Sequence, residues 1–366
     1  MDWSEDSSTE IITTKTDNTV FIDDDKTAAS RKQDHIELAF RSQVQQMSLD
    51  NRFYYEPMLA GHPKESDDTC FEFLGKTFRA PLWVSSMTGG TEWAKTINHN
   101  LARAAKEFGF GMGLGSCRAL LTENGFRESE PDFDVRKIIG DDLPLYANLG
   151  IAQIEKLIEK GQIQLIADLV DKLSADGLIV HINPMQEWLQ PEGDRFEVAP
   201  LVTLARLIDA LPDLKLIVKE VGQGMGYHSL KALLQMPLEA IDFAASGGTN
   251  FAMLELLRSN DIQLQSYEPL TKVGHSAEEM VGFVNRILVE EGNNLACKQV
   301  IISGGIQSFL DGYYLINKIN APAIYGQASA FLKYARGSYE ELHKFVDLQI
   351  KGLRMAEAYL NIVENE

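Results

Sequence analysis

The sequence predicts an α/β fold: a (β/α)8 barrel of the TIM type, with an N-terminal extension and an insertion between strands six and seven. Three observations lead there. From residue 81 onward, eight short apolar runs alternate with stretches of helical periodicity. Continuous apolar character marks strands buried on both faces, as in a parallel sheet, and eight such units are the number that closes a barrel. Every run also ends in glycine or polar side chains, at the end where barrels assemble a shared site. The alternative for such an alternation is a doubly wound open sheet.

The elements follow in order. Residues 1–29 are rich in Asp, Ser, Thr and Lys and poor in apolar residues, so an acidic, disordered extension is expected. Residues 30–80 read as an arm and cap. Arg31-Lys-Gln-Asp-His35-Ile-Glu-Leu-Ala-Phe opens a short amphipathic helix with Ile36, Leu38, Ala39 and Phe40 on its apolar side. A solvated helix start accounts for Arg31, Lys32 and His35. Cations at the positive end of a helix dipole also hint at a nearby anion. Residues 50–80 look irregular, apart from a small hairpin at 71–78.

The barrel domain spans 81–366. Its first strand is 81–86, with Met87-Thr-Gly-Gly90 as the loop and a helix over 92–107. Strands two, three and four are 110–115, 143–148 and 178–182. One helix at 153–172 separates the third from the fourth, and another at 201–211 follows the fourth. Strand five is 214–219, with a helix at 229–234, and strand six is 240–244. The insertion, 249–298, holds helical segments. Strands seven and eight are 299–303 and 323–325, with a helix at 308–319 between them. A long helix over 338–363 closes the chain.

Composition narrows the function. The chain has 366 residues, 45% hydrophobic and 24% charged, which suits a soluble globular protein with a large core. Its 34 basic and 53 acidic residues give a net charge of −19. Nucleic acid is therefore not an expected partner, since that asks for a basic stripe. An anionic small molecule is still allowed, because local cations can focus a site within an acidic surface. Cys70, Cys117 and Cys297 lie far apart and form no Cys-x-x-Cys. Neither a disulfide framework nor a zinc site is expected, and a reducing cytoplasm fits. The N-terminus has no apolar signal core, and no run approaches the ~18 apolar residues of a membrane span.

The chemistry concentrates in His181-Ile-Asn-Pro-Met-Gln-Glu-Trp-Leu-Gln-Pro-Glu-Gly-Asp-Arg195, a polar loop stiffened by Pro184 and Pro191. The other strand ends carry Met87-Thr-Gly-Gly, Gly115-Ser-Cys-Arg118, Asn148, Lys219-Glu220, Gly247-Gly-Thr249, Ser303-Gly-Gly305 and Gly326-Gln-Ala. Gly304-Gly305 and Gly326 follow strands seven and eight, where barrels commonly hold phosphate on backbone N–H groups. Glycine lets the backbone come close to the oxygens, though tight turn geometry alone also uses such pairs. Lys219 ends an apolar strand and would point into the barrel mouth, where a cation favours an anionic ring or phosphate. Glu187 is a hard carboxylate beside Gln186 and Asn183, suited to Mg²⁺; Glu192 is not distinguished from it on physical grounds. Arg118, Arg31 and Lys32 could clamp a phosphate. Gly222-Gln-Gly-Met-Gly226 looks like a dinucleotide fingerprint, but its spacing is wrong and it does not sit in a first βα unit.

Together these residues resemble the type 2, FMN-dependent isopentenyl diphosphate isomerases. The matching pieces are Arg31-Lys-x-x-His35, Met87-Thr-Gly-Gly90, Gly115-Ser-x-Arg118, Ala147-Asn148 and His181-x-Asn-x-x-Gln-Glu187. They continue with Pro191-Glu-Gly-Asp194, Val218-Lys-Glu-Val-Gly222, Gly247-Gly-Thr249 with Glu255, and Ser303-Gly-Gly-Ile306, spanning roughly 31–335 in order. The resemblance implies a barrel that interconverts isopentenyl and dimethylallyl diphosphate using reduced FMN, with NADPH as reductant, Mg²⁺, and no net redox change. By the same resemblance Ser86, Met87, Thr88, Ser116, Asn148, Lys219 and Thr249 would contact the flavin. The loops carrying Gly304, Gly305, Gln307, Ala328 and Ser329 would take its phosphate. Arg31, Lys32, Arg118, His181, Asn183 and Gln186 would hold the substrate, and Glu187 the Mg²⁺. Gln186, His35 and Glu255 would serve the chemistry, and a homo-oligomer, tetramer or octamer, is implied. The chain departs from the family pattern at Gln307, where an Arg is usual, at Gly326-Gln-Ala-Ser, and at Val273-Gly-His-Ser. The first bears on one flavin-phosphate contact.

Two other readings compete. An FMN barrel oxidoreductase of the hydroxy-acid oxidase type would want a His/Arg pair for a substrate carboxylate near the flavin. A flavin- or phosphate-binding regulator on a dead barrel would not need the full set of polar strand ends.

Overall fold

A computed structural model of the chain describes residues 27–64, 70–86, 93–122 and 131–363. The expectations for residues 1–26 and for the Met87-Thr-Gly-Gly90 loop lie outside the described residues. The chain divides into two units, 1–51 and 52–366, so the expected 30–80 arm and cap is shared between them. In the first unit, helix Ala28–Leu38 opens without a side-chain cap and is followed by a helical turn at Gln46–Ser48. Its Ile36, Leu38 and Phe40 are exposed.

In the second unit eight parallel strands close into a barrel. They are β1 (Leu82–Val84), β2 (Gly111–Gly113), β3 (Leu145–Gly150), β4 (Gly177–His181), β5 (Leu216–Lys219), β6 (Ala240–Asp242), β7 (Val300–Ser303) and β8 (Ala323–Gln327). Each pairs with the next in sequence, and β8 closes on β1 through Tyr325↔Leu82 to Gln327↔Val84. Nearly every strand residue is buried, which is why the runs read as continuously apolar. Large rings fill the interior. Trp83 and Tyr146 meet edge to face at 6.1 Å, and Gly111 makes room for the indole, since a Cβ there would lie 2.4 Å from it.

Three elements differ from the sequence expectation, and the helical insertion agrees with it. The single helix expected at 153–172 is two, Ile151–Glu159 and Gln164–Lys172. Gly161 between them has φ +66°, a left-handed conformation that no α-helix continues through. The polar loop 181–195 contains a short helix, Pro184–Leu189, with Pro184 in its first turn, where a missing N–H costs nothing. The last helix ends at Tyr359, and Leu360–Ile362 pairs antiparallel with Phe53–Tyr55. The insertion folds as helices Phe251–Arg258, Asp261–Thr271 and Ala277–Glu291, the last opened by a Ser276/Glu279 capping box.

Candidate active site

The barrel's carboxyl end opens into a cavity of about 400 Å³. Its floor is polar. Asp242, fully buried at the end of β6, accepts hydrogen bonds from Ser303 Oγ and from Ser85 Oγ, the latter at 3.4 Å. Burial pushes the Asp242 carboxyl up, against the pull of Lys219 and the serine hydroxyls. Gly326 on β8 leaves space for this layer, because a Cβ there would lie 2.5 Å from Ser85 Oγ.

Lys219 ends β5 only 8% exposed, and its Nζ donates to the Glu220 carbonyl at 2.9 Å. The next carboxylate shapes the loop that follows. Glu220 accepts from the backbone N–H of Gly222 and Gln223, both at 2.6 Å, and of Gly224 at 3.0 Å. The glycine-rich run thus wraps the chain's own carboxylate. Gly222, at φ +126°, also lets this loop touch the next, since a Cβ there would lie 2.2 Å from the Thr249 carbonyl.

At the β7 end, Gly304 (φ +86°) and Gly305 (φ +72°) both take the left-handed conformation. A Cβ on Gly304 would sit 2.1 Å from the Ala245 carbonyl. The described lining of the cavity contains two lysines, Lys219 and Lys333, and no carboxylate. Ser86 Oγ, also on the lining, is buried without a hydrogen-bond partner.

A second set of side chains is built on β3, β4 and helix Pro184–Leu189. Asn148 Nδ2 donates to the Leu114 carbonyl at 3.0 Å, which turns Oδ1 toward His181 Nδ1, 2.8 Å away. His181 must therefore carry its proton on Nδ1 and keep Nε2 as an acceptor. Burial, with Lys219 nearby, holds the imidazole neutral and lowers its pKa to about 4. Asn183 Nδ2 donates to Gln186 Oε1 at 3.0 Å and to Glu187 Oε1 at 3.1 Å, leaving its own buried Oδ1 without a partner. Gln186 Nε2 in turn donates to Glu255 Oε1 at 3.2 Å, and Glu255 pairs with Arg258. Glu187 Oε2 accepts from the Asp194 N–H at 2.7 Å. The Asp194 carboxylate gathers Gln153, Lys156 and Arg118; burial would raise its pKa, but these partners outweigh it and hold the carboxyl low.

No family model matches the chain. Among curated proteins, it is 34% identical over 329 residues to an isopentenyl-diphosphate delta-isomerase of Rickettsia africae (strain ESF-5), covering 89% of this chain and 91% of that one. The Rickettsia typhi (strain ATCC VR-144 / Wilmington) protein of the same name is 33% identical, covering the same shares. The chain belongs to the isopentenyl-diphosphate delta-isomerase family. Among solved structures it shares its fold with a mandelate oxidase mutant bearing a monooxide FMN adduct, at a TM-score of 0.54 and 13% identity, covering 86% of this chain and 88% of that one. A flavocytochrome b2 mutant with benzoylformate gives a TM-score of 0.55 at 12% identity, with 90% and 85% covered.

Within this isomerase, Ser86, Lys219, Thr249, Gly304, Gly305, Gln307, Ala328 and Ser329 line one cavity. Asn148, His181, Asn183, Gln186, Glu187 and Glu255 belong to the hydrogen-bonded groups on β3, β4 and the insertion. Ser116 is exposed, and Arg118 is an exposed cation 3.4 Å from Asp194. Arg31, Lys32 and His35 lie on the exposed helix Ala28–Leu38 of the first unit. Met87 and Thr88 lie outside the described residues. Sequence reasoning missed Ser85 and Asp242, which share a buried hydrogen-bonded layer with Ser303 under the cavity. The only signal was an aspartate inside an otherwise apolar run, Ala240-Ile-Asp242-Phe-Ala244. It also missed Gln153 and Lys156, which orient Asp194 from a helix with ordinary surface periodicity.

Proposed function

We propose that this chain interconverts isopentenyl diphosphate and dimethylallyl diphosphate, holding FMN in the barrel cavity and Mg²⁺ at Glu187. The observation that carries the reading is the cavity's charge. In a chain of net charge −19, its described lining holds two lysines and no carboxylate. Left-handed glycines at the β7 end bring backbone N–H groups close enough for a phosphate, and the partnerless Ser86 Oγ is a buried polar atom that a ring heteroatom would satisfy. These features fit FMN, a ring with a phosphate tail. For Mg²⁺, the fit lies in hard oxygens gathered at this short helix: the Glu187 carboxylate, which accepts from Asn183 Nδ2 and the Asp194 N–H, and the partnerless Asn183 Oδ1. One or two protein oxygens with diphosphate oxygens and water complete such a site.

Bound FMN, reduced by NADPH, supplies a proton relay at its ring with no net redox change. The chain's own residues do the rest. Lys219 stabilises negative charge on the ring from within a low-dielectric wall. Ser86 and Thr249 fix the ring's position. Asn183 and Gln186 hold the diphosphate, and Glu255 keeps the Gln186 amide from rotating. Neutral His181 offers Nε2 as an acceptor and adds no second cation. Arg118, an exposed cation beside Asp194, brings further positive charge to the diphosphate. The competing hydroxy-acid oxidase reading wants a His/Arg pair on a carboxylate, and the described lining contains neither residue type.

The test is product analysis. The full chain with FMN, NADPH and Mg²⁺ under anaerobic conditions should convert isopentenyl diphosphate to dimethylallyl diphosphate. Glu187→Gln should cost at least about tenfold in rate at limiting Mg²⁺ while flavin binding survives, since a charge-assisted contact is worth ~1.5–3 kcal/mol. Oxidation of 2-hydroxy acids with no isomerisation would overturn the proposal.

A further inference from the structure

Lys333 contributes to the cavity's charge but is matched to no part of a ligand in the reading above, and it lines the same cavity as Gly304, Gly305 and Ser329. It stands on helix Ser329–Ala335, which follows β8, four residues after Ser329 and so on the same face. The cavity's other lysine, Lys219, stands on β5, three strands away around the barrel. Gln307, beside the glycine pair, brings no charge. Among the described residues Lys333 is therefore the one cation lining the cavity from the β7–β8 side.

Its neighbours leave that charge available. Lysines on the two helices flanking this one in sequence pair with carboxylates: Lys318 with Glu278 at 2.6 Å and Lys351 with Asp347 at 2.9 Å. The Lys333 ammonium instead lies 5.3 Å from the centroid of the Tyr334 ring, which is stacked at 4.4 Å on Phe345. A weak cation–π contact steadies the side chain without neutralising it. An ammonium held in this way, in a cavity also lined by the left-handed Gly304 and Gly305, suits a phosphate monoester dianion, for which lysine acts as a point charge.

We propose that Lys333 is the cation that binds the phosphate end of the flavin nucleotide and makes the site select FMN over riboflavin. This assignment rests on the FMN reading of the cavity. It predicts a residue that acts on the phosphate and leaves ring binding untouched. The full chain, stripped of flavin, is titrated with FMN and with riboflavin by flavin fluorescence, as wild type, Lys333→Gln and Lys333→Arg.

Losing one charge-assisted contact should weaken FMN by about 10- to 100-fold in Lys333→Gln. Riboflavin should change less than about twofold, which also shows that the variant is folded. Lys333→Arg should recover most of the FMN affinity, and the wild-type preference for FMN should shrink as salt is raised. The substrate's diphosphate is the other possible source of a phosphate here. If Lys333 served that instead, Lys333→Gln would keep its FMN affinity and lose isopentenyl diphosphate affinity in the FMN-loaded enzyme, and the assignment would fall. An unchanged FMN-to-riboflavin ratio overturns it too. A wild-type protein that binds neither flavin overturns the FMN reading and this assignment with it.

Discussion

At the scale of single residues, His181 shows how placement sets chemistry. Its Nδ1–H is tied to Asn148 Oδ1, and burial next to Lys219 lowers its pKa from 6.5 to about 4. The unfolded chain therefore binds a proton that the folded chain refuses between those values. Stability from this group is full above about pH 6.5 and is lost progressively as pH falls toward 4. Replacing His181 with Gln should flatten that part of the acid limb, so that the gap in melting temperature between the variant and wild type changes below pH 6.5 and is constant above it. Proton NMR gives an independent check: an imidazole titrating near 6.5 would end the account of His181 as a fixed neutral acceptor.

At the scale of elements, the site depends on short pieces that sequence patterns read poorly. Helix Pro184–Leu189 aligns Asn183, Gln186 and Glu187 so that one amide bridges two oxygens. In sequence the same stretch is a polar loop, because six residues are too few for periodicity to show. The last strand is shorter still. Leu360–Ile362 pairs with Phe53–Tyr55, the Leu360 carbonyl accepts from Tyr313 OH at 2.9 Å, and Val363 N–H donates to the Arg52 carbonyl at 2.8 Å. Ending the chain at Tyr359 removes these contacts and should lower stability by about 1–3 kcal/mol, several degrees of melting temperature for a domain of this size. The barrel's own hydrogen bonds are untouched, so flavin binding should persist in the shortened chain below its new melting point. Loss of flavin binding there would show that the strand pair supports the cavity itself.

For the whole molecule, the same cavity links ligand to stability. Its described lining gathers two cations and no carboxylate in a strongly acidic chain. That arrangement is costly empty and is relieved by an anion. A ligand that binds only the folded chain adds about 2.7 kcal/mol of stability at a concentration one hundred times its dissociation constant. FMN should therefore raise the melting temperature by several degrees, riboflavin should raise it less at equal concentration, and added salt should narrow the difference. Equal shifts for the two flavins would mean that the phosphate contributes nothing to binding.

Eight apolar runs by themselves determined the barrel, because strands buried on both faces cannot hide their composition. The residues at their ends were legible for the same reason: strand direction puts every carboxyl end on one rim, so Lys219, Thr249, Gly304 and Ser329 had to meet. The tertiary structure alone decided what crosses the barrel or closes over distance. Ser85, Asp242 and Ser303 come from the ends of three strands and share one hydrogen-bonded layer. Glu220 fills the glycine loop after it, and Asn148 fixes the proton of a histidine one strand away. Each of these is a pairing between side chains distant in sequence, or a backbone conformation that no single residue type dictates. A linear pattern records which residues can make hydrogen bonds, and only packing selects the partner.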